Sequence, residues 1–275
     1  MRQVRRIAVN ALKEDIGDGD ITTDSTIRVG AGLTGRFVAK EDGIVAGLEV
    51  VREVLRLRDR RCHISELIHD GAAVTRGQLI ATVVGKGRAI LSCERVALNI
   101  LQRMSGIATL TRAFVNAVSG TKAVVVDTRK TAPGLRILDK WSVRLGGGQN
   151  HRFGLYDRVL VKENHIAAAG GIANAVTLIR KTDKRKRPIE VEVRNLKELR
   201  EVLELNVEQI LLDNMSLAEL AEAVDVTKGR SLLEASGNVT LESVGRIART
   251  GVDIISVGML THSVRALDVS FLIEP

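Results

Sequence analysis

An α/β protein with a parallel-stranded barrel in its C-terminal part is the fold this sequence predicts, on three observations. From about residue 122, apolar strand-like runs alternate with helical stretches, the pattern of a parallel sheet covered by crossover helices. Polar, chemically able groups close six successive strands, as they do on the top face of a barrel; an open doubly wound sheet would gather them near one switch point. Aromatic residues make up only 2% of the 275-residue chain, which carries 25 glycines. A core of Ala, Val, Ile and Leu follows, which favours tightly layered α/β structure over an aromatic-rich β-sandwich.

Taken in order, residues 24 to 105 carry short strand-like stretches between glycine turns, such as Gly35–Ala39, Gly43–Gly47 and Gln78–Val84. Ser92 to Val118 has apolar residues at three- and four-residue spacing and reads as a helix. Strands are then predicted at Ala123–Val126, Arg158–Val161, Ile189–Val193, Gln209–Leu212, Leu232–Ala235 and Ile254–Val257. Helices are predicted at Ile172–Lys181, Leu196–Leu205, Leu217–Ala223 and Leu241–Thr250. The Gly17–Asp20 stretch lacks the ligand repeat of a calcium loop and reads as the turn ending a first helix.

Several function classes have no support. The chain has no G-x-G-x-x-G, Walker loop, H-E-x-x-H or G-x-S-x-G, and its five histidines show no metal-ligand spacing. Cys62 and Cys93 form no C-x-x-C pair. No apolar run approaches a membrane span, and the basic N-terminus lacks a signal peptide's apolar core, so a cytoplasmic protein is expected. A net charge of +8 asks for an anionic partner. The basic run Lys181–Arg187 reads as a solvated loop, and one Trp, one Tyr and four Phe leave little to stack on bases. A small, multiply charged anion fits better than nucleic acid.

Residues 127 to 165 concentrate the chemistry. Arg129, Lys130, His151, Arg152 and Lys162 all fall on loops or strand ends. Arg presents a planar fork suited to carboxylates, and Lys a compact charge suited to phosphates. Five such groups together would repel one another without a ligand of several negative charges. Gly146-Gly147-Gly148 is either a plain turn or a place where backbone N–H groups approach an anion. Glu192 and Asp213 each close an apolar strand, where a carboxylate can hold Mg²⁺ directly or through water. Ser236-Gly237-Asn238 and Gly258 close the last two strands, a position where barrels bind phosphate.

At these residues the chain resembles the quinolinate phosphoribosyltransferase family. The stretches that carry the resemblance include E-D-I-G-D-G-D-I-T-T-D (14–24), C-E-R-V-A-L-N-I-L-Q-R-M-S-G-I-A-T (93–109), D-T-R-K-T-A-P-G-L-R (127–136), R-L-G-G-G-Q-N-H-R (144–152), L-V-K-E-N-H-I (160–166), L-L-D-N-M (211–215) and E-A-S-G-N (234–238). They run in order along almost the whole chain. The resemblance implies an α/β sandwich domain over 24–107, with the 1–23 helix and the C-terminal tail packing nearby. An incomplete barrel of about seven strands follows over 108–275. It implies a homodimer (a hexamer is also open) in which one subunit's sandwich covers the other's barrel.

The implied reaction joins quinolinate to phosphoribosyl pyrophosphate with Mg²⁺, releasing pyrophosphate and CO₂. By resemblance, Arg129, Lys130, His151, Arg152 and Lys162 hold the quinolinate carboxylates and neighbouring phosphates, with Arg95 reaching in from a partner subunit. Glu192 and Asp213 serve the ribose and the Mg-pyrophosphate, and with Lys130 and Lys162 they form the implied catalytic set. Ser236, Gly237, Asn238, Gly258 and His262 surround the 5′-phosphate. Small departures stand at Leu145, Ala132, Glu163 and Trp141, where Cys, Thr, Asp and a nearby Tyr are frequent; none removes a charged contact. A transport-linked relative with the same barrel, a lipoyl-type carrier using Lys40 beside segment 70–85, and a nucleic-acid-binding module are the competing readings.

Overall fold

The computed structural model describes residues 1–274. In chain order, α1 (Arg2–Ile16) and α2 (Ile21–Thr26) precede β1 (Gly32–Ala39), β2 (Gly43–Ile44), α3 (Leu48–Arg58), β3 (His63–Glu66), β4 (Ala73–Val74) and β5 (Leu79–Lys86). A long helix, α4 (Gly87–Ala117), leads into β6 (Val124–Val126), α5 (Arg136–Leu145), β7 (Val159–Val161), α6 (Glu163–Ala169), α7 (Ile172–Thr182) and β8 (Ile189–Val193). The chain continues through α8 (Leu196–Leu203), β9 (Gln209–Asp213), α9 (Leu217–Thr227), β10 (Leu232–Ser236), α10 (Leu241–Arg249), β11 (Ile254–Ser256), α11 (Met259–His262) and β12 (Val269–Ile273).

Two compact units result. The first comprises 1–112, 131–147 and 260–275, and the second 113–130 and 148–259. The boundary anticipated at 107/108 thus lies within α4, and α5 groups with the N-terminal segments.

In the first unit an antiparallel sheet has the order β12-β1-β5-β3. The late strand β12 pairs with β1 from Gly35↔Ile273 to Ala39↔Val269, and Phe37 packs on Phe271 with ring centroids 4.7 Å apart. Helix α1 buries Val4, Ala8 and Leu12, a stripe at four-residue spacing. Arg103 on α4 makes two 2.9 Å bonds to the fully buried carboxylate of Asp139 on α5. Gly106 allows α4 its approach to the C-terminal segment: a Cβ there would lie 2.1 Å from the Arg265 carbonyl oxygen.

The second unit is built on a parallel sheet in the order β6-β11-β10-β9-β8-β7. The predicted strands appear within a residue or two of their anticipated bounds; β6 and β7 are wholly apolar, whereas β8 and β10 carry buried glutamates within them. About seven strands were expected and six form this sheet. Gln149 adds one bridged residue beside Val126, with its N–H donating to the Val125 carbonyl; the stretch of chain there is too short to count as a further strand. The covering helices start at side-chain caps: Asn195 for α8, Ser216 with Glu219 for α9, and Thr240 with Ser243 for α10. Among the described residues no helix is long and apolar enough to cross a membrane.

Candidate active site

Parallel strands in register bring their carboxyl-end residues to one rim. Here Asp213 stands opposite Ser236, and Glu192 opposite Leu211. Arg129 and Lys130 follow β6, Lys162 closes β7, and Gly258 follows β11. His151 and Arg152 lie between α5 and β7. Eleven of the anticipated site residues therefore belong to the second unit, with Gly237 and Asn238 directly beyond β10. Arg95 and His262 belong to the first unit and are both exposed, Arg95 on α4 and His262 at the end of α11.

Charges meet on this rim. The Arg152 guanidinium is half-buried and its pKa is lowered, first by burial and then by the neighbouring Arg129 charge. Glu190 and Asp157 offset part of this like-charge effect, and a bound anion would lower it further. Lys162 Nζ lies 3.2 Å from Glu192 Oε2, and the Asp213 carboxylate accepts from the Asn214 amide at 3.0 Å. Asn214 also links to β10, its N–H donating to the Ser236 carbonyl and its Oδ1 accepting from Asn238. Gly237 has φ +101°, and a Cβ there would sit 2.1 Å from Asn214 Oδ1. A glycine is required at this turn on both counts.

The triple glycine serves packing. A Cβ on Gly146 would meet the Ala108 carbonyl at 2.5 Å, and Gly147 has φ +95°. The N–H groups of Gly146 and Gly147 are bonded to Ser142 and Arg144 at the end of α5, so they do not form an anion cradle.

His151 is placed differently from a rim residue. Its side chain is 8% exposed, with Nε2 3.1 Å from Glu190 Oε2 and 3.3 Å from Glu234 Oε2. Both carboxylates are buried, and the Gln209 amide donates to each. Gln209 in turn accepts from Arg158 at 2.8 Å. Burial opposes charge on the imidazole, but the hydrogen bonds to Glu190 and Glu234 and their charges prevail and raise its pKa to about 9. Burial likewise raises Glu190, against the lowering effect of His151. Nδ1 accepts the Arg152 backbone N–H at 2.8 Å. That bond needs an unprotonated Nδ1 and so opposes the rise in pKa that the carboxylates produce; the donor geometry favours the neutral ring with its proton on Nε2.

Glu190, Gln209 and Glu234 escaped sequence reasoning, and Asp127 stood out only as the polar residue closing its strand. Their signal was a polar residue within or just past an otherwise apolar strand, most plainly Glu234 in L-L-E-A-S. His151, Glu190 and Glu234 also have the donors and spacing of a small cation site, but the Gln209 amide already donates to both carboxylates and the Arg158 charge acts on Glu190. A cavity of about 410 Å³ opens at the opposite ends of the strands, among Lys122, Leu232, Asp253 and Ile254. It touches His151 and Glu234, and its lining includes none of Arg129, Lys130, Arg152 and Lys162.

Comparison with known proteins decides among the readings. Residues 20–105 match the quinolinate phosphoribosyl transferase N-terminal domain, and residues 107–272 match the C-terminal domain of the same family. The chain belongs to the quinolinate phosphoribosyltransferase family. It is 46% identical to the decarboxylating quinolinate phosphoribosyltransferase 1b of Nicotiana tabacum, over 96% of this chain and 80% of that one. It is 42% identical to the probable carboxylating nicotinate-nucleotide pyrophosphorylase of Bacillus subtilis, over 98% of this chain and 92% of that one. The solved nicotinate-nucleotide pyrophosphorylase of Francisella tularensis superposes with a TM-score of 0.95 at 40% identity, covering 99% of this chain and 96% of that one.

Proposed function

We propose that this chain transfers the phosphoribosyl group of phosphoribosyl pyrophosphate to the nitrogen of quinolinate, with loss of CO₂, yielding nicotinate mononucleotide and pyrophosphate. The observation that carries this reading is the electrostatic interaction of Arg129 with Arg152 near strand ends that also carry the Lys162–Glu192 pair. Quinolinate brings two adjacent carboxylates, which match two planar guanidinium forks. Lys130 and Lys162 supply compact charges for the phosphates. The Ser236–Asn238 turn, with Gly258, takes the 5′-phosphate through small side chains and backbone N–H groups. Arg95 of a second copy and His262 complete the site in a homodimer working in the cytoplasm.

Most of the rate acceleration comes from holding the pyridine nitrogen against the anomeric carbon and from meeting leaving-group charge. Arg129 and Arg152 orient the ring by its carboxylates. Joining the nitrogen to ribose makes the ring cationic, which stabilises the carbanion left when the adjacent carboxylate departs as CO₂; a proton from solvent then restores the ring C–H. Glu192 and Asp213 form an all-oxygen donor set suited to Mg²⁺ held with pyrophosphate, directly or through water. Glu192 and Asp213 would hold such an ion, which would supply charge neutralisation for the leaving pyrophosphate.

The test is purified protein with quinolinate, phosphoribosyl pyrophosphate and Mg²⁺, following CO₂ and nicotinate mononucleotide together. Product that requires all three components is expected. A folded protein that forms none would overturn the proposal.

A further inference from the structure

We infer that Glu190 and Glu234 are positioning residues for Arg152, acting from inside the barrel through the two nitrogens of His151. The inference rests on Arg152 as a quinolinate ligand, as proposed above.

The backbone that carries Arg152 is held on two sides. Asp127, fully buried beyond β6, accepts from the His151 N–H at 2.9 Å and from the Asn150 amide at 2.6 Å. The His151 ring then accepts from the next N–H, that of Arg152, at 2.8 Å. Two successive N–H directions are thereby fixed, and with them the direction in which the Arg152 side chain leaves the backbone. That arrangement lasts only while the ring keeps its orientation. Its other nitrogen faces Glu190 and Glu234 at 3.1 and 3.3 Å, and Gln209 ties those carboxylates together at 3.0 and 2.6 Å.

Burying two carboxylates between apolar strands costs stability that hydrophobic residues of similar volume would not. Their contribution therefore lies in fixing the imidazole tautomer and plane, much as a carboxylate orients the histidine of a catalytic triad. Both ring nitrogens are engaged within the protein, so His151 contributes by placement rather than by contact with quinolinate.

The experiment is steady-state kinetics of Glu190→Gln and Glu234→Gln, each alone and combined with Arg152→Ala. Each single Gln variant should raise KM for quinolinate about tenfold while KM for phosphoribosyl pyrophosphate moves less than about twofold. In the Arg152→Ala background the same Gln substitution should add less than about twofold, because the group being positioned has gone. Glu234→Asp should recover part of the quinolinate affinity. Equal changes in both KM values, or effects that multiply fully with Arg152→Ala, would overturn the inference. An Arg152→Ala variant with unchanged quinolinate KM would instead remove the underlying assignment of Arg152. A measurement on the unmodified protein needs no variant to fold: ¹⁵N spectra of the histidine rings with and without quinolinate. His151 should show an unprotonated Nδ1 that persists on binding. Loss of that signature on adding quinolinate would mean direct contact and would also overturn the inference.

Discussion

Removing either partner of the Arg103–Asp139 pair should cost unequal amounts, and the inequality tests how burial sets the strength of an ion pair. The Asp139 side chain is fully buried and that of Arg103 is 27% exposed. Two bonds of 2.9 Å join them, and Asp139 also accepts from the Ala132 N–H at 3.2 Å. Breaking a buried pair on one side typically costs about 3–5 kcal/mol, mostly for the charge left behind. Arg103→Ala strands a carboxylate with no access to water and should fall near the top of that range. Asp139→Ala leaves a guanidinium that can still hydrate, together with one orphaned N–H, and should fall near 3 kcal/mol. For a chain of this size about 2–4 °C of melting temperature accompanies each kcal/mol, so losses of roughly 6–12 °C are expected for Asp139→Ala and more for Arg103→Ala. Urea unfolding at pH 7 measures both, and the double variant should cost about 1–3 kcal/mol less than the two singles added. Additive costs, or a milder Arg103→Ala, would refute the argument that the stranded charge dominates.

Four further outcomes follow from the same kind of argument. A charge-assisted hydrogen bond is worth about 1.5–3 kcal/mol, so Arg129→Ala or Arg152→Ala should fold normally and lose tenfold to a hundredfold in quinolinate affinity, read by titration calorimetry. Gly106→Ala places a methyl 2.1 Å from the Arg265 carbonyl and should cost at least about 1–3 kcal/mol of overpacking, seen as a lowered urea midpoint. Burial pushes the Cys93 thiol from 9.0 up to about 12. Its raised folded-state pKa adds stability that is complete below pH 9 and is lost as pH climbs from 9 towards 12, at about 1.4 kcal/mol per pH unit; Cys93→Ala should show a shallower alkaline decline in urea midpoint. Because burial raises Cys62 as well, neither thiol should react with a disulfide reagent at pH 8 until the protein is unfolded.

The strands of the second unit were legible because their signals are local. Ile189–Val193 has β-branched residues at alternate positions, is of strand length and is followed by helix-capping Asn195, and it forms where anticipated. The residues beyond each strand could be placed on one rim because parallel strands put their carboxyl ends together. Non-local pairings were not legible. Nothing in Val269–Ile273 itself names β1 as its neighbour, and nothing in Arg136–Leu145 says that the helix groups with the N-terminal segments. His151 sits in a cationic stretch, and sequence reasoning put it with its neighbours on the substrate-facing loops. Its inward turn depends on Glu190 and Glu234, which lie 39 and 83 positions away and come together only when β8 and β10 flank β9. The Gly146–Gly148 run illustrates the same limit, since glycine serves tight packing and anion binding equally well and only the neighbouring atoms distinguish them.

The late pairing of β12 with β1 bears on how the chain is made. More than two hundred residues separate Gly35 from its partner Ile273. At a synthesis rate of about 5–20 residues per second, β1 waits on the order of tens of seconds with an unsatisfied edge. Such an edge pairs readily with other chains. The α/β portion, whose strands pair in near-sequential order, can assemble while the sheet of the first unit still lacks its last member. Because the chain passes back and forth between the units, neither corresponds to one contiguous stretch of coding sequence. Truncation from the C-terminal side should therefore injure the earliest-made part of the molecule first.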